Sequence, residues 1–276
     1  MFNWLKRKTL KDEPLRIIAA TCAHMGQDRK MIEDDHLLSL QDSSKGPFYA
    51  AVADGMGGHD GGGIAARSAI RTFADTVSQA VIENQWRWPP IWHDEEETAP
   101  LILQALKRAL FTADIRITKL ATRNPNLRDM GTTFSAIALE GNQLHFVHVG
   151  DTRLYHINHQ HEIQLVTTDH AFDPSEQTLV FPSGHDAENY KGCLTQFLGR
   201  KAYPLAPQCG GIQLSRGDFL VLCSDGLHGV LTPDAMKDMV FKMSNRSLAD
   251  AAKNLVQAAL YKGSKDDITV VLCQVL

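Results

Sequence analysis

Three aspartates flank apolar runs that read as β-strands. Asp54 closes Tyr49-Ala-Ala-Val-Ala-Asp54 and leads into Gly55-Met-Gly-Gly-His59. Asp225 closes Phe219-Leu-Val-Leu-Cys-Ser-Asp225 and precedes Gly226, whereas Asp266 opens Asp266-Asp-Ile-Thr-Val-Val-Leu272. Antiparallel neighbours bring the end of one strand beside the start of the next. The expectation is that all three carboxylates meet at one rim of one sheet. Carboxylates that close repel, and the cluster demands a proton or a cation. An all-oxygen ligand set suits a hard divalent ion, Mg2+ or Mn2+, which retains bound water. Arg29 lies in Gly26-Gln-Asp-Arg-Lys-Met-Ile-Glu-Asp-Asp-His36. Its guanidinium could grip phosphate oxygens through two parallel hydrogen bonds. Glu33 and Asp34, just beyond it, could hold metal-bound waters. Metal-activated water beside a phosphate-binding arginine is hydrolytic chemistry.

The elements that must position these residues follow from periodicity. Residues 16–22, 36–40 and 49–53 read as strands, with a turn over 41–47. A Gly-rich loop over 55–63 leads into a helix over 64–83, and a second helix spans 99–123. After Gly131 the pattern turns to period two. Strands are expected over 132–139, 143–149, 153–157 and 162–167, with turn residues between them, as an antiparallel meander. A strand ending at Asp225, helices near 233–243 and 248–261, and a last strand over 268–275 complete the chain. No repeat or linker divides it. The reading is an N-terminal arm over 1–15 and a single domain over 16–276.

The glycines after Asp54 permit two readings. Between strand and helix they could cradle a nucleotide phosphate, yet neither Gly-x-Gly-x-x-Gly nor a Walker lysine is present. Alternatively they allow the tight turn that lets the Asp54 carboxylate and the Gly55 carbonyl bind metal. A second strand-Asp-Gly at Asp225, together with Asp266, favours metal.

With 276 residues, 43% of them hydrophobic, the chain can bury a substantial core. A formal net charge of −4 gives no nucleic-acid footprint. Five cysteines without a Cys-x-x-Cys pair read as reduced thiols of a cytoplasmic protein. None is followed by arginine at the spacing that a thiol nucleophile for phosphate would use. No apolar run approaches a membrane span, and the N-terminus lacks the apolar core of a signal peptide.

Taken together, the motifs resemble those of the type 2C, metal-dependent protein serine/threonine phosphatases. They run in order as Gly26-x-x-Arg29 with Glu33-Asp34, Ala53-Asp54-Gly-Met-Gly-Gly-His59, Gly131-Thr-Thr133, Val149-Gly-Asp-Thr-Arg153, Thr168-Asp-His170, Leu194-Thr-Gln-Phe-Leu-Gly199, Gly217 to Leu227, and Asp266-Asp-Ile-Thr-Val270. The resemblance covers about residues 16–276, and the Asp-Gly-Met-Gly-Gly-His form is similar to bacterial members. It implies an α+β fold, a four-layer α/β/β/α sandwich of two antiparallel sheets flanked by helices. Two Mn2+ or Mg2+ ions are implied, bridged by Asp54, with the Gly55 carbonyl, Asp225 and Asp266 as further ligands. Glu33 and Asp34 would act through waters, and Arg29 would take the substrate phosphate. The implied activity is hydrolysis of phosphoserine and phosphothreonine by a metal-activated water. The implied partners are phosphoproteins, a cognate serine/threonine kinase or its substrates, met by a monomer. A catalytically silent phosphoprotein-binding module of the same fold is the alternative.

Departures from the family pattern sharpen these expectations. Asp267 stands where asparagine is common, adding negative charge near the centre. Gln196 replaces an arginine, and Gly63 and Ala66 replace a glutamate and a serine. Met56 stands where animal and plant members often carry histidine as general acid; water or His59 is left for that role. Asp129, just before Gly131-Thr-Thr133, is near the position that helps bind a third metal in many bacterial members.

Three further segments carry weaker signals. His156, His159 and His161 read as exposed imidazoles on a hairpin rather than as a zinc site, which would need a fourth ligand. Trp86 to Glu97 reads as packing back onto the helices, with a protein-docking loop as the alternative. Residues 170–193 either flank a substrate cleft or simply connect.

Overall fold

The computed structural model describes residues 15–27, 29–39, 47–57, 61–83, 99–175, 187–200, 204–244 and 247–276. Residues 1–14 of the N-terminal arm, His59 and the Trp86 to Glu97 segment lie outside them.

Alternation along the strands dictates the layering. Strand β6 (Phe134–Glu140) is buried on both faces from Phe134 to Leu139. Phe134, Ala136 and Ala138 enter one apolar cluster, while Ile137 and Leu139 enter another. Strand β11 (Phe219–Cys223) divides likewise. Phe219, Val221 and Cys223 face one way, and Leu220 and Leu222 the other. Successive side chains on a strand point to opposite faces, so a strand apolar on both must be covered on both.

The two sheets supply that cover for each other on their inner faces. One sheet has the order β10-β7-β6-β3-β2, formed by β10 (Gln208–Gln213), β7 (Gln143–Val149), β6, β3 (Tyr49–Ala53) and β2 (Asp35–Leu38). The other has the order β1-β12-β11-β8-β9, formed by β1 (Ile17–His24), β12 (Ile268–Val275), β11, β8 (Arg153–Ile157) and β9 (Ile163–Leu165). All pairings are antiparallel. Ala50, Val52 and Ile137 meet Leu220, Leu222 and Val271 between the sheets. Helices α1 (Gly61–Glu83) and α2 (Leu101–Arg123) cover the outer face of the first sheet through Phe73, Leu106, Leu110 and Ile117. Helices α4 (Pro233–Ser244) and α5 (Leu248–Tyr261) cover the second through Met236, Val240, Leu255 and Val256. The expected four-layer α/β/β/α sandwich is the architecture found.

Three expectations about elements need correction. The predicted meander over 132–167 is split, because β6 and β7 pair in one sheet while β8 and β9 pair in the other. Gly150 turns the chain between layers at φ +105, with a Cβ there only 2.5 Å from Thr133 Cβ. Helix α1 starts at Gly61, not Ile64, so part of the supposed loop is helical. Strand β10 was missed. Its two glycines give no apolar alternation, and a Cβ on Gly210 would fall 2.8 Å from the Phe146 ring.

Of the three imidazoles expected to be exposed on this hairpin, His159 and His161 are exposed and His156 is half-buried. Buried Asp218 accepts from His156 Nε2 at 2.9 Å and from the His159 amide at 2.9 Å. His161 stacks on Phe241 with ring centroids 3.6 Å apart. These histidines tie the turn to the body of the second sheet.

Candidate active site

The rims of the two sheets bring the predicted acids together, though not as one sheet's edge. In the second sheet β11 and β12 are antiparallel neighbours with Cys223 opposite Val270. Asp225, just past β11, and Asp266, just before β12, therefore share one rim. Asp54 follows β3 of the other sheet. The expectation of a single rim fails here, because Tyr49–Ala53 pairs with β2 and β6. The acids face one another across the sandwich.

Each acid has a local reason for its place. The Asp54 amide donates to Thr133 Oγ1 at 3.1 Å. Its carbonyl accepts from the Thr133 amide at 2.9 Å and from Thr132 Oγ1 at 2.8 Å. The Gly131-Thr-Thr133 motif thus pins the Asp54 backbone. Gly55 lies in the two-residue strand β4 (Gly55–Met56), paired with β5 (Gly131–Thr132). A Cβ on Gly55 would be 2.2 Å from the Gly62 carbonyl oxygen and 2.5 Å from that of Glu33. These glycines serve backbone packing against the start of α1 rather than a phosphate cradle. Asp225 opens the short helix α3 (Asp225–His228).

Ser224 connects the acids to the sheet. Its hydroxyl donates to Asp34 Oδ2 at 2.7 Å and accepts from the Thr269 amide at 2.9 Å. Gly226 sits so close to β12 that a Cβ would lie 2.0 Å from the Asp267 carbonyl oxygen. Gly226→Ala should therefore lower the unfolding free energy by about 3 kcal/mol, through overpacking. Urea denaturation reads this directly, and an unmoved midpoint would contradict the close approach.

Arg29 is held between two of the predicted acids. Its guanidinium pairs with Glu33 and, at 2.5 Å, with Asp266 Oδ1. Burial works against its charge, but Asp266 and Glu33 outweigh burial and raise its pKa. Arg29, Glu33 and Asp266 thus form one ion-paired group at the mouth, while Asp34 is buried within.

The electrostatics are those of crowded anions. Burial, then the charges of Asp34, Asp225, Asp151 and Asp266, push the Asp54 carboxyl well above its ordinary value. Burial raises Asp34 to about 7 despite the hydrogen bond from Ser224. Asp225 is raised by burial and by Asp266, and relieved in part by a hydrogen bond with Asp54. Burial and Asp225 bring Asp151 up to about 6. Asp34 Oδ1 and Asp225 Oδ1 are buried without a hydrogen-bond partner among the described residues. Among those residues no three acid, thiol or imidazole groups stand as a closed ligand set. Arg29 draws Asp266 and Glu33 toward itself.

The sequence reading gave no role to several residues now at the site. Asp151 belongs to a quoted motif, and its strand-Gly-Asp pattern was the available signal. The turn that carries it is braced by Arg153, whose Nε and Nη2 donate to Asp169 at 2.9 and 2.7 Å. Ser224 and Thr133 gave no sequence signal beyond membership of their motifs. Asp129 is exposed beside Arg128 at 3.6 Å. Gln196 Oε1 accepts from the Ala206 amide at 3.2 Å.

Comparison with known proteins agrees with this geometry. The protein phosphatase 2C family profile matches residues 7–261. Protein phosphatase PhpP of Streptococcus pneumoniae is 30% identical over 224 residues, 80% of this chain and 83% of the relative. The solved S. agalactiae serine/threonine phosphatase is 26% identical with a TM-score of 0.72, covering 94% of this chain and 99% of its own. The catalytic domain of serine/threonine protein phosphatase PstP, solved in complex with two manganese ions, is 26% identical with a TM-score of 0.71 over 95% and 99% of the two chains. Two facing antiparallel sheets with acids across their rims, and a profile match over nearly the whole chain, lead to one conclusion: this chain belongs to the protein phosphatase 2C family.

Proposed function

We propose that the chain is a metal-dependent phosphoprotein phosphatase that hydrolyses phosphoserine and phosphothreonine. The observation that carries this is the facing cluster of Asp34, Asp54, Asp151 and Asp225, all raised in pKa by burial first and by neighbouring carboxylates second. Such a cluster calls for positive charge, and its donors are all oxygen, which fits Mn2+ or Mg2+. The buried, unpartnered oxygens of Asp34 and Asp225 are spare acceptors of the right kind. Asp54, the Gly55 carbonyl, Asp225 and Asp266 would hold two ions. When bound, such ions supply Lewis acidity and make water a nucleophile near neutral pH.

The chain's own residues do the rest. Arg29 takes the substrate phosphate, exchanging its carboxylate partners for phosphate oxygens, and offsets charge that develops in the transition state. Glu33 and Asp34 accept hydrogen bonds from water and orient it. Residues 16–276 act as one catalytic domain, and residues 1–15 as an arm. The free thiols fit a reducing compartment, and we place the enzyme in the cytoplasm as a monomer. Its partners there are a serine/threonine kinase or that kinase's targets. No helix among the described residues is long and apolar enough to cross a membrane.

The test is turnover of phosphopeptides and of a generic aryl phosphate with Mn2+. Binding without turnover would favour a silent binding module instead.

A pH experiment checks the cluster separately. Without divalent ions the folded-state carboxyls hold protons above the ordinary value of 3.8, Asp151 to about 6 and Asp34 to about 7. The folded state then binds more protons than the unfolded one, so stability falls as pH rises through that window. Cations compete with those protons. The rise in Tm on adding Mg2+ should therefore be larger at pH 7.5 than at pH 5. An equal rise at both would contradict a site built from these acids.

A further inference from the structure

Both carboxylate oxygens of Asp267 are engaged by backbone amides of the first charged loop. Its side chain is 2% exposed. Oδ1 accepts from the Gly26 amide at 2.7 Å, and Oδ2 from the Glu33 amide at 2.6 Å. These two amides bracket the loop that carries Arg29. The base of that loop lies directly on the 265–267 backbone. A Cβ on Gly26 would be 2.5 Å from the Lys265 carbonyl oxygen and 2.9 Å from the Asp267 nitrogen. The next acid completes the hold, because Asp266 Oδ1 accepts from Arg29 Nη2 at 2.5 Å and from the Asp267 amide at 2.8 Å.

We infer that Asp267 is a positioning residue, latching both ends of the Arg29 loop onto the start of β12 and so aiming the guanidinium. The role requires two acceptors pointing at two backbone donors. An asparagine there would offer only one acceptor, beside one donor. Its amide would face a backbone N–H. The extra negative charge expected here from the sequence is therefore spent largely on main-chain amides, although it still contributes to raising Asp34 and Glu33. Asp267 acts on catalysis through Arg29, and this consequence rests on the proposed phosphate grip of that residue.

Two measurements test the latch. The first is hydrogen exchange of the full chain, wild type against Asp267→Asn. One of the Gly26 and Glu33 amides should exchange roughly ten- to hundred-fold faster in the variant, the effect of losing a hydrogen bond to a charged acceptor. The second is a double-mutant cycle on an aryl phosphate with Mn2+. Asp267→Asn should lower kcat/KM by about tenfold when Arg29 is present, and by less than about twofold on an Arg29→Ala background. A merely structural role would give the same loss on both backgrounds. Asp267→Ser, which introduces no opposing amide, keeps the test open should the asparagine variant fail to fold. Unchanged exchange at both amides, or additive kinetic losses, would overturn the inference. Exchange needs no turnover. A wild-type protein inert toward aryl phosphate would thus overturn the proposed function and leave exchange to decide the latch.

Discussion

Stripped with chelator, the protein should lose turnover of an aryl phosphate and regain it on addition of Mn2+ or Mg2+. Asp54→Asn should be the most damaging single change. Asp54 is the acid most crowded by its neighbours, with Asp34, Asp225, Asp151 and Asp266 all acting on it. Of Asp54, Asp225 and Asp266, it is the one contributed by the first sheet, so its loss removes the link between the proposed ligands across the cleft. Metal ions supply several kcal/mol of charge stabilisation. At about 1.4 kcal/mol per factor of ten, the loss in kcat should be about a thousandfold or more. The backbone of residue 54 is held by Thr132 and Thr133 through main-chain atoms, so asparagine should fold in its place. Full activity in excess chelator would sink the metal-dependent mechanism. Loss of activity accompanied by an equally large fall in Tm would instead make Asp54 a structural acid.

Arg29 and Asp266 touch each other, yet their substitutions should separate. Arg29→Ala should raise KM and lower kcat while leaving metal affinity little changed. Losing a charge-assisted hydrogen bond costs about 1.5–3 kcal/mol, roughly ten- to hundred-fold in kcat/KM for each bond lost. Asp266→Asn should weaken metal binding, and excess Mn2+ should recover part of its activity. The contact between them at 2.5 Å means the two changes are coupled, so a metal titration and a substrate titration are needed on both variants. Wild-type kinetics for Arg29→Ala would place the substrate phosphate elsewhere. A metal requirement unchanged by Asp266→Asn would remove that residue from the ligand set and leave it as Arg29's partner.

Most of the elements, and the acids at their ends, were legible in the linear pattern alone. Buried strands such as Phe219–Cys223, set between Gly217-Asp218 and Asp225-Gly226, and Ile268–Val275, opened by Asp266-Asp267, are largely apolar runs, and so they were legible. Their junctions mark Asp225 and Asp266 without any knowledge of the fold. The glycines at 55 and 226 were legible as constraints, though not as the close backbone contacts they turn out to serve. What a linear pattern does not contain is pairing. Period two states that a strand has two faces but not which sheet it joins, so β6–β9 read as one meander although the chain changes layer at Gly150. For the same reason the three aspartates were expected on one rim. Only the packing of Ala50, Val52 and Ile137 against Leu220, Leu222 and Val271 sets Asp54 across from the other two. Polar partners many residues apart were equally hidden. Ser224 on Asp34 and Asp267 on the Gly26 and Glu33 amides depend on β11 and β12 lying beside the first loop. Those contacts are fixed by burial of apolar faces far along the chain, and hydrogen bonds specify direction only once that burial has brought the groups within reach.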